Sequence, residues 1–376
     1  MKMNKKGVSK KVSTRILSMI MALAITFGMI IASPMKKVNA SSNCSNPGTK
    51  LVWNTKYSGT LDARGLGVGA DNYYRYDFSV DKSGTLSISA DIDSLSFGSF
   101  MYFYIYDVSN KLVCSVLCQN GHKDLGAYLI AGDYYLTADG IVPGDNCNFS
   151  FTSTYEACNE TATESIYKKN NTTDTATPYT LGKQYTGYIA HNDYEDYYVF
   201  NMKANGFVTY SVDSKLTKHK IEITNTFGDI TYKQAGIEMG NAKYKFFLPK
   251  GKYYLKVEQD GWVGATYTFN LKYSKLPKVK VKKIRSKMYS KDRSTLTVKF
   301  TRNSNVDGYQ VMVSPKKNFK AGKKTVTVNM NTANSAIIDS VKRHKTYYVR
   351  VRTLKTAPNG KSYYSAWSKV KKIKTK

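Results

Sequence analysis

The chain has 376 residues, with 57 Lys and Arg against 27 Asp and Glu, a formal net charge of +30 and 41% hydrophobic residues. That length allows two or three domains with cores of their own. Only one apolar run, near the N-terminus, approaches the length that crosses a bilayer, which excludes a polytopic membrane protein.

The charge is unevenly shared. Residues 41–160 carry 7 basic and 13 acidic side chains, residues 161–275 carry 15 and 11, and residues 276–376 carry 27 and 3. Such asymmetry favours an anionic polymer or surface as neighbour of the last hundred residues; the alternative is a basic surface that serves solubility alone.

In chain order, Lys2, Lys5, Lys6, Lys10, Lys11 and Arg15 precede an apolar run from Ile16 to Ala32, and Val38-Asn39-Ala40 offers small residues for a peptidase. Residues 1–40 read as a secretory signal peptide, with a retained anchor as the alternative. The mature chain is expected to be secreted, extracellular or cell-wall associated, with no transmembrane segment after cleavage. The five cysteines, Cys44, Cys114, Cys118, Cys147 and Cys158, precede residue 160. Export permits disulfides, and an odd number leaves one thiol over. Cys44 with Cys158, and Cys114 or Cys118 with Cys147, are the candidate pairs. A zinc site would need closer paired spacing.

Strands are expected at 73–80, 85–91, 101–107, 111–117, 127–130, 133–138 and 147–155, separated by Gly and Asp turns. The run Gly132-Asp133-Tyr134-Tyr135-Leu136 returns as Gly251-Lys252-Tyr253-Tyr254-Leu255. Upstream, Asn72-Tyr73-Tyr74-Arg75-Tyr76-Asp77-Phe78 aligns with Asp196-Tyr197-Tyr198-Val199-Phe200-Asn201-Met202. A repeat this long means two copies of one β domain. The polar stretch 159–180 is the linker between them, and Lys density rises after Leu276-Pro277-Lys278. The fold class is all-β: three consecutive antiparallel β-sandwich domains after the signal peptide, over 41–160, 161–275 (with the linker) and 276–376.

The second copy runs from Asn192-Asp193-Tyr194-Glu195-Asp196 into Tyr197-Tyr198-Val199-Phe200, then Pro249-Lys250-Gly251-Lys252-Tyr253-Tyr254 and Tyr267-Thr268-Phe269. It resembles the pre-peptidase C-terminal (PPC) domains of secreted bacterial proteins. The first copy is a weaker match, with Gly65-Leu66-Gly67-Val68-Gly69 inserted before Asp71. The last hundred residues resemble a fibronectin type III domain of clostridia-like surface proteins. Thr295–Phe300, Gly308–Val313 and Thr346–Arg352 would be strands, with Tyr347 at the tyrosine corner. There Arg350 and Arg352 project opposite Tyr347, and Trp367 is placed to lie between them as a structural cation–π ladder.

For chemistry, the four histidines form no metal-binding pair at helical spacing and no Gly-x-Ser-x-Gly elbow occurs, so an enzyme is not expected. The PPC resemblance implies Ca²⁺ near a domain edge, and Asp193, Glu195 and Asp196 supply hard oxygen ligands, although three in five residues are not a complete site. Alternation leaves Tyr73, Tyr135, Tyr197 and Tyr254 outward, joined by Trp262 in a loop, as candidate ligand-binding rings. The structural alternative is that tyrosine favours strands and covers sheet surface.

The function these residues suggest is a secreted, non-catalytic binding or adhesion protein. Its basic end would contact an anionic cell-wall polymer or polysaccharide, and its tyrosine-rich sandwiches a saccharide or an extracellular protein. The second reading is an accessory, substrate-targeting part of an extracellular protease or hydrolase system. Nucleic acid is disfavoured by export and by the lack of a recognition motif.

Overall fold

The computed structural model describes residues 38–39, 48–61, 73–93, 100–118, 121–141, 146–261 and 264–376. Among them every regular element is a strand. The apolar run of the expected signal segment, Cys44, the Gly65–Gly69 run and Trp262 lie outside the described residues.

The first ten strands are β1 (Val38–Asn39), β2 (Thr49–Lys50), β3 (Tyr57–Leu61), β4 (Tyr73–Val80), β5 (Gly84–Ile92), β6 (Phe100–Asp107), β7 (Leu112–Cys118), β8 (Gly121–Leu129), β9 (Gly132–Ile141) and β10 (Cys147–Ala157). They form two five-stranded sheets, ordered β1-β3-β10-β5-β8 and β2-β4-β9-β6-β7. Alternation sends Tyr74, Tyr76 and Phe78 of β4, Tyr134 and Leu136 of β9, and Phe149 and Phe151 of β10 between the layers, where all are buried. The rings meet edge to face, Tyr57 on Tyr76 at 4.9 Å and Tyr76 on Phe151 at 5.0 Å. The thiols of Cys114, Cys118, Cys147 and Cys158 are unbonded, so the expected bridge to Cys147 is not formed.

The second copy has β11 (Thr177–Pro178), β12 (Gln184–Ile189), β13 (Glu195–Met202), β14 (Gly206–Asn225), β15 (Thr231–Leu248), β16 (Gly251–Gln259) and β17 (Ala265–Lys275). They make one seven-stranded sheet, β11-β13-β16-β14-β17-β12, with β15 along β14. The first part of β14 pairs with β17 and the last part with β16. A bulge between Ser214 and Lys218 lets it turn the corner and serve both layers. The twenty residues of β14 thus do the work of β5 and β6, and β15 that of β7 and β8.

Strand pairing corrects the sequence alignment of the two copies. Tyr76 pairs with Leu136, and Tyr198 pairs with Leu255. Because Leu136 and Leu255 hold the same place in the Gly-x-Tyr-Tyr-Leu repeat, Tyr76 corresponds to Tyr198 and Tyr74 to Asp196. The alignment by tyrosine pairs is therefore slipped by two residues. A slip of two keeps every side chain on its face, so alternation alone does not reveal it. Gly59 and Gly187 are also equivalent. An added Cβ would lie 2.6 Å from Phe149 in one copy and 2.4 Å from the Tyr267 hydroxyl in the other.

The last strands are β18 (Val281–Met288), β19 (Arg293–Phe300), β20 (Gly308–Ser314), β21 (Lys324–Val328), β22 (Ser335–Lys342), β23 (Thr346–Thr356), β24 (Ser362–Tyr364) and β25 (Lys371–Lys374). They form the sheets β18-β19-β22 and β21-β20-β23-β24, with β25 also on β23. The Lys342 N–H donates to the Tyr347 hydroxyl at 3.0 Å, the contact expected of a tyrosine corner. Trp367 does lie between two guanidinium groups, 4.3 Å from both Arg350 and Arg352, and Phe319 and Tyr364 extend the stack at 4.0 and 3.8 Å. Ser365 and Ser368 accept from the Thr353 and Val351 N–H groups, each at 3.0 Å.

The sandwiches are fastened to one another. The Tyr188 hydroxyl donates to the Gly84 carbonyl at 2.7 Å, the Tyr128 N–H donates to His191 Nδ1 at 2.9 Å, and Ile130, Tyr188 and Ala190 are buried together. Between the second and third, one buried cluster runs through Leu248, Leu276, Val279, Val281 and Tyr309. The Thr353 hydroxyl donates to the Pro277 carbonyl at 2.8 Å.

His219 sits beside the bulge of β14 with no exposed surface, its Nδ1 3.4 Å from the Ser214 hydroxyl and its Nε2 without a partner. Burial lowers its pKa to about 4, so the folded protein refuses a proton that the unfolded chain accepts below about pH 6.5. Stability is therefore lost as pH falls from about 6.5 towards 4. At pH 5 the loss is about 2 kcal/mol. Denaturant unfolding at pH 7 and pH 5 checks this: His219→Gln should lose about 2 kcal/mol less than the native chain over that interval, and equal losses would contradict it.

Candidate functional site

The described residues contain one group of three or more metal-capable side chains close enough to share an ion: Glu164, Asp193 and Asp196, with carboxylate oxygens within 4.8 Å of one another. Glu164 comes from the linker, Asp193 from the turn after β12 and Asp196 from the inward face of β13. All three are buried, Asp193 completely. Two of them are residues singled out from the sequence. The third, Glu195, is not part of the group: its neighbour Asp196 points inward, so Glu195 points outward, and it pairs with Lys256 at 2.5 Å.

Turn and linker hold the site from both sides. The Asn171 amide donates to Asp193 Oδ1 at 2.5 Å, and the Asn170 N–H donates to Glu164 Oε1 at 3.2 Å. The Tyr267 hydroxyl donates to Asp196 and lies 2.8 Å from the Tyr198 hydroxyl, while Lys169 Nζ donates to the Asn192 carbonyl. Even so, Glu164 Oε2, Asp193 Oδ2, Asp196 Oδ1, Asn171 Oδ1 and Asn192 Oδ1 are buried without a hydrogen-bond partner. Orphaned buried oxygens at this density call for an ion, water or protons.

Electrostatics says the same. Burial, then the charge of Asp196, pushes the Glu164 carboxyl far above its usual range. Burial, then Asp193, does the same to Asp196, and burial raises Asp193. Three carboxylates this close cannot all ionise unless a cation joins them. The donors are all hard oxygens, with no imidazole or thiolate, which suits Ca²⁺ and its six to eight oxygen ligands. Calcium fits these residues. It would supply positive charge that clasps the linker onto the β12–β13 turn. Sequence reasoning missed Glu164 because it is 29 residues from Asp193 in a stretch with no periodic pattern. Among the described residues of the first copy, Tyr74 stands where Asp196 does and donates to the Thr60 carbonyl at 3.0 Å.

The candidate ligand-binding tyrosines are scattered over two sandwiches. Tyr73 and Tyr197 are half-buried on outer faces. Tyr135 and Tyr254 lie on outer faces too, yet are only 9% exposed. The expectation of open rings fails there because cations cover them: the Arg75 guanidinium lies 4.0 Å over Tyr135 and Lys252 Nζ lies 5.2 Å over Tyr254. Lys256 likewise sits 5.6 Å over Tyr197.

One constellation had no sequence signal. Ser89 Oγ is 3.2 Å from His122 Nε2, and His122 Nδ1 is 2.7 Å from Asp91, the distances of a nucleophilic triad. But the Ser89 hydroxyl donates to Asp124 at 2.8 Å instead. β5 pairs on both sides, so its N–H groups serve the sheet rather than an oxyanion. His122 is 56% exposed to water. The hydrogen bond to Asp91, and then the charge of Asp124, raise its pKa, so the two aspartates favour the imidazolium form over that of a general base.

No family model matches the chain, and no curated protein matches it. Similar solved structures include the pre-peptidase C-terminal domain of a Bacillus anthracis collagenase, 22% identical, covering 26% of this chain and 94% of that one with a TM-score of 0.23. They include a two-domain fibronectin type III segment of chicken tenascin, 16% identical, covering 47% of this chain and 97% of that one, TM-score 0.28. The FN1–FN3 domains of chicken CNTN1 are 11% identical over 80% of this chain and 97% of that one, TM-score 0.23. Both kinds of domain that the sequence resembles are thus among the structural neighbours. At these scores the fold assignment rests on the strand pairing itself. No helix among the described residues is long and apolar enough to cross a membrane.

If calcium completes the cluster, it binds the folded chain and not the unfolded one. At a hundred times its dissociation constant it should add about 2.7 kcal/mol of stability. Because the ion replaces protons, the gain should grow as pH rises. Melting curves with calcium and with chelator test this, and Asp193→Asn should remove most of the difference. An identical melting temperature in both buffers would refute the assignment.

Proposed function

We propose that the chain is a secreted, non-catalytic binding and adhesion protein of the cell surface. Its basic third sandwich contacts an anionic wall polymer, and the two tyrosine-rich sandwiches bind a saccharide or a protein. The observation that carries this reading is the uncompensated charge of the last domain. Residues 276–376 hold 27 basic and 3 acidic side chains, and the described ion pairs there amount to Lys355 with Asp307 at 2.6 Å. Lys283, Arg285 and Lys287 of β18 and Lys299 of β19 share one exposed face. Lys371, Lys372 and Lys374 of β25 are exposed as well.

Charges that find no partner within the fold attract counter-charge from outside it. A sheet face of spaced lysines suits a flexible polyanion better than a single small anion, because each cation is a separate weak contact. The fastening between sandwiches supports the reading too, since an attached third domain would hold the other two in a set orientation.

Binding of the full chain to purified cell walls across a salt series tests the electrostatic claim. From about 0.1 to 1 M salt the screening length falls from ~10 to ~3 Å. Most of the bound protein should be released over that range, and reversing Lys283, Arg285 and Lys287 to Glu should release it at lower salt. Retention that ignores both salt and these substitutions would contradict the role given to the third sandwich.

A further inference from the structure

The two PPC-like sandwiches carry different chemistry on the same sheet face, which makes each a control for the other. In the second, Lys220, Glu222 and Thr224 of β14 face Glu258, Lys256 and Tyr254 of β16. That face is a mesh of ion pairs: Lys220 with Glu258 at 2.6 Å, Lys256 with Glu195 and Glu258 at 2.5 and 2.8 Å, and Lys233 with Glu222 at 3.0 Å. In the first, the corresponding positions of β6 are Tyr102, Tyr104 and Tyr106, facing Asp139, Thr137 and Tyr135 of β9. Covering this sheet therefore does not demand tyrosine, since the other copy covers it with charge.

The tyrosines form a continuous row. Tyr102 stacks on Tyr104 at 5.2 Å, Tyr104 meets Tyr106 at 6.0 Å, and Tyr106 stacks on Tyr135 at 5.0 Å. Arg75 closes the far end over Tyr135. Rings stacked in this way occupy one another's faces, so a visitor meets phenol edges and hydroxyl groups. Burial raises the Tyr104 and Tyr106 pKa values, which keeps those phenols protonated. Leu112 and Leu117 of β7, 46% and 44% exposed, flank the row.

At Tyr135 the row opens into a groove of about 780 Å³, whose walls include Trp53, Val108, Arg75, Asp77 and Asp133. That volume lies within the range of small-molecule sites, and an apolar wall with a few converging polar groups is their usual composition. Three of the charges inside are already answered. Arg75 pairs with Asp77 at 2.8 Å, and Asp133 accepts from the Ser79 and Tyr167 hydroxyls at 2.5 and 2.9 Å. The lining also holds Lys50 and Asp81, which leaves more acidic than basic groups. An anionic polymer gains nothing there, and a neutral hydroxylated chain can exchange hydrogen bonds with every one of these groups.

We propose that this face of the first sandwich binds an uncharged linear saccharide, with the groove as anchoring subsite and the tyrosine row as the track for following units. The proposal rests on the reading that the tyrosine-rich sandwiches bind a ligand, and it names that ligand's class and place.

The test is calorimetric titration of the full chain with cellohexaose, xylohexaose, mannohexaose and chitohexaose, beside polygalacturonate and an extended proline-rich peptide. At least one neutral hexasaccharide should bind with little salt dependence. The double substitution Tyr104→Ser and Tyr106→Ser should weaken it about tenfold or more. Glu222→Ser, at the matching place in the second sandwich, should leave it unchanged, and unaltered melting of each variant shows that the fold is kept. Tyr104→Phe, which removes only a hydroxyl, should give a smaller loss.

Failure of all four sugars, or sugar binding indifferent to Tyr104 and Tyr106, overturns the proposal. Binding confined to polygalacturonate and lost on reversing the β18 lysines also overturns it, while leaving the role of the third sandwich intact. Peptide binding that depends on the tyrosine row, without sugar binding, would reassign the face to a protein partner.

Discussion

A tyrosine sealed between two sheets has to find a partner for its hydroxyl, and this requirement shapes the protein. Phenylalanine would fill the same space without the obligation. Here the hydroxyls of Tyr57, Tyr74, Tyr134 and Tyr309 donate to the carbonyls of Lys50, Thr60, Ile130 and Asn331. Each of these four rings therefore pins a backbone segment at the rim of its sandwich, and packing and loop placement become one event. An unmade bond of this kind would cost about 1–3 kcal/mol, so the pinned segments are held nearly as firmly as the core.

The second sandwich departs from this arrangement beside its acidic cluster. Its Tyr198 and Tyr267 hydroxyls turn to each other and to Asp196 instead of to a rim carbonyl. The rim is then secured by the linker, through Glu164, Asn170 and Asn171. Substituting Tyr74 by the carboxylate of Asp196 is thus the change that separates a rim held by a tyrosine from one held around buried carboxylates, whose charge a cation would balance. The surrounding frame is otherwise shared, down to the glycine at 59 and 187 that lets aromatic rings approach the first strand.

Strand positions and inward faces were legible from alternation where one side of a strand is buried, as in β4 and β5, whereas β9, buried at five successive residues from Tyr134 to Ala138, is covered on both sides. The burial of Tyr74, Tyr76 and Phe78 follows the pattern residue by residue. The Arg–Trp ladder of the third sandwich was legible for the same reason, since Arg350 and Arg352 share a face by parity. Contacts that depend on distant segments were not. Glu164 reaches the acidic turn through an aperiodic linker, the register of the copies slips by an even number, and Arg75 lands on Tyr135 from a neighbouring strand. Parity determines which side a residue faces and is silent about what covers it.

The unequal treatment of one corner has an evolutionary consequence. Where the second sandwich spans its bend with the twenty residues of β14, the first has a longer path, from Gly84 at the start of β5 to Asp107 at the end of β6. Extra residues at a bend can change with little disturbance to the ladders beside them, whereas an uninterrupted twenty-residue strand transmits any change to both layers. The first copy should therefore accept insertion at this corner more readily than the second.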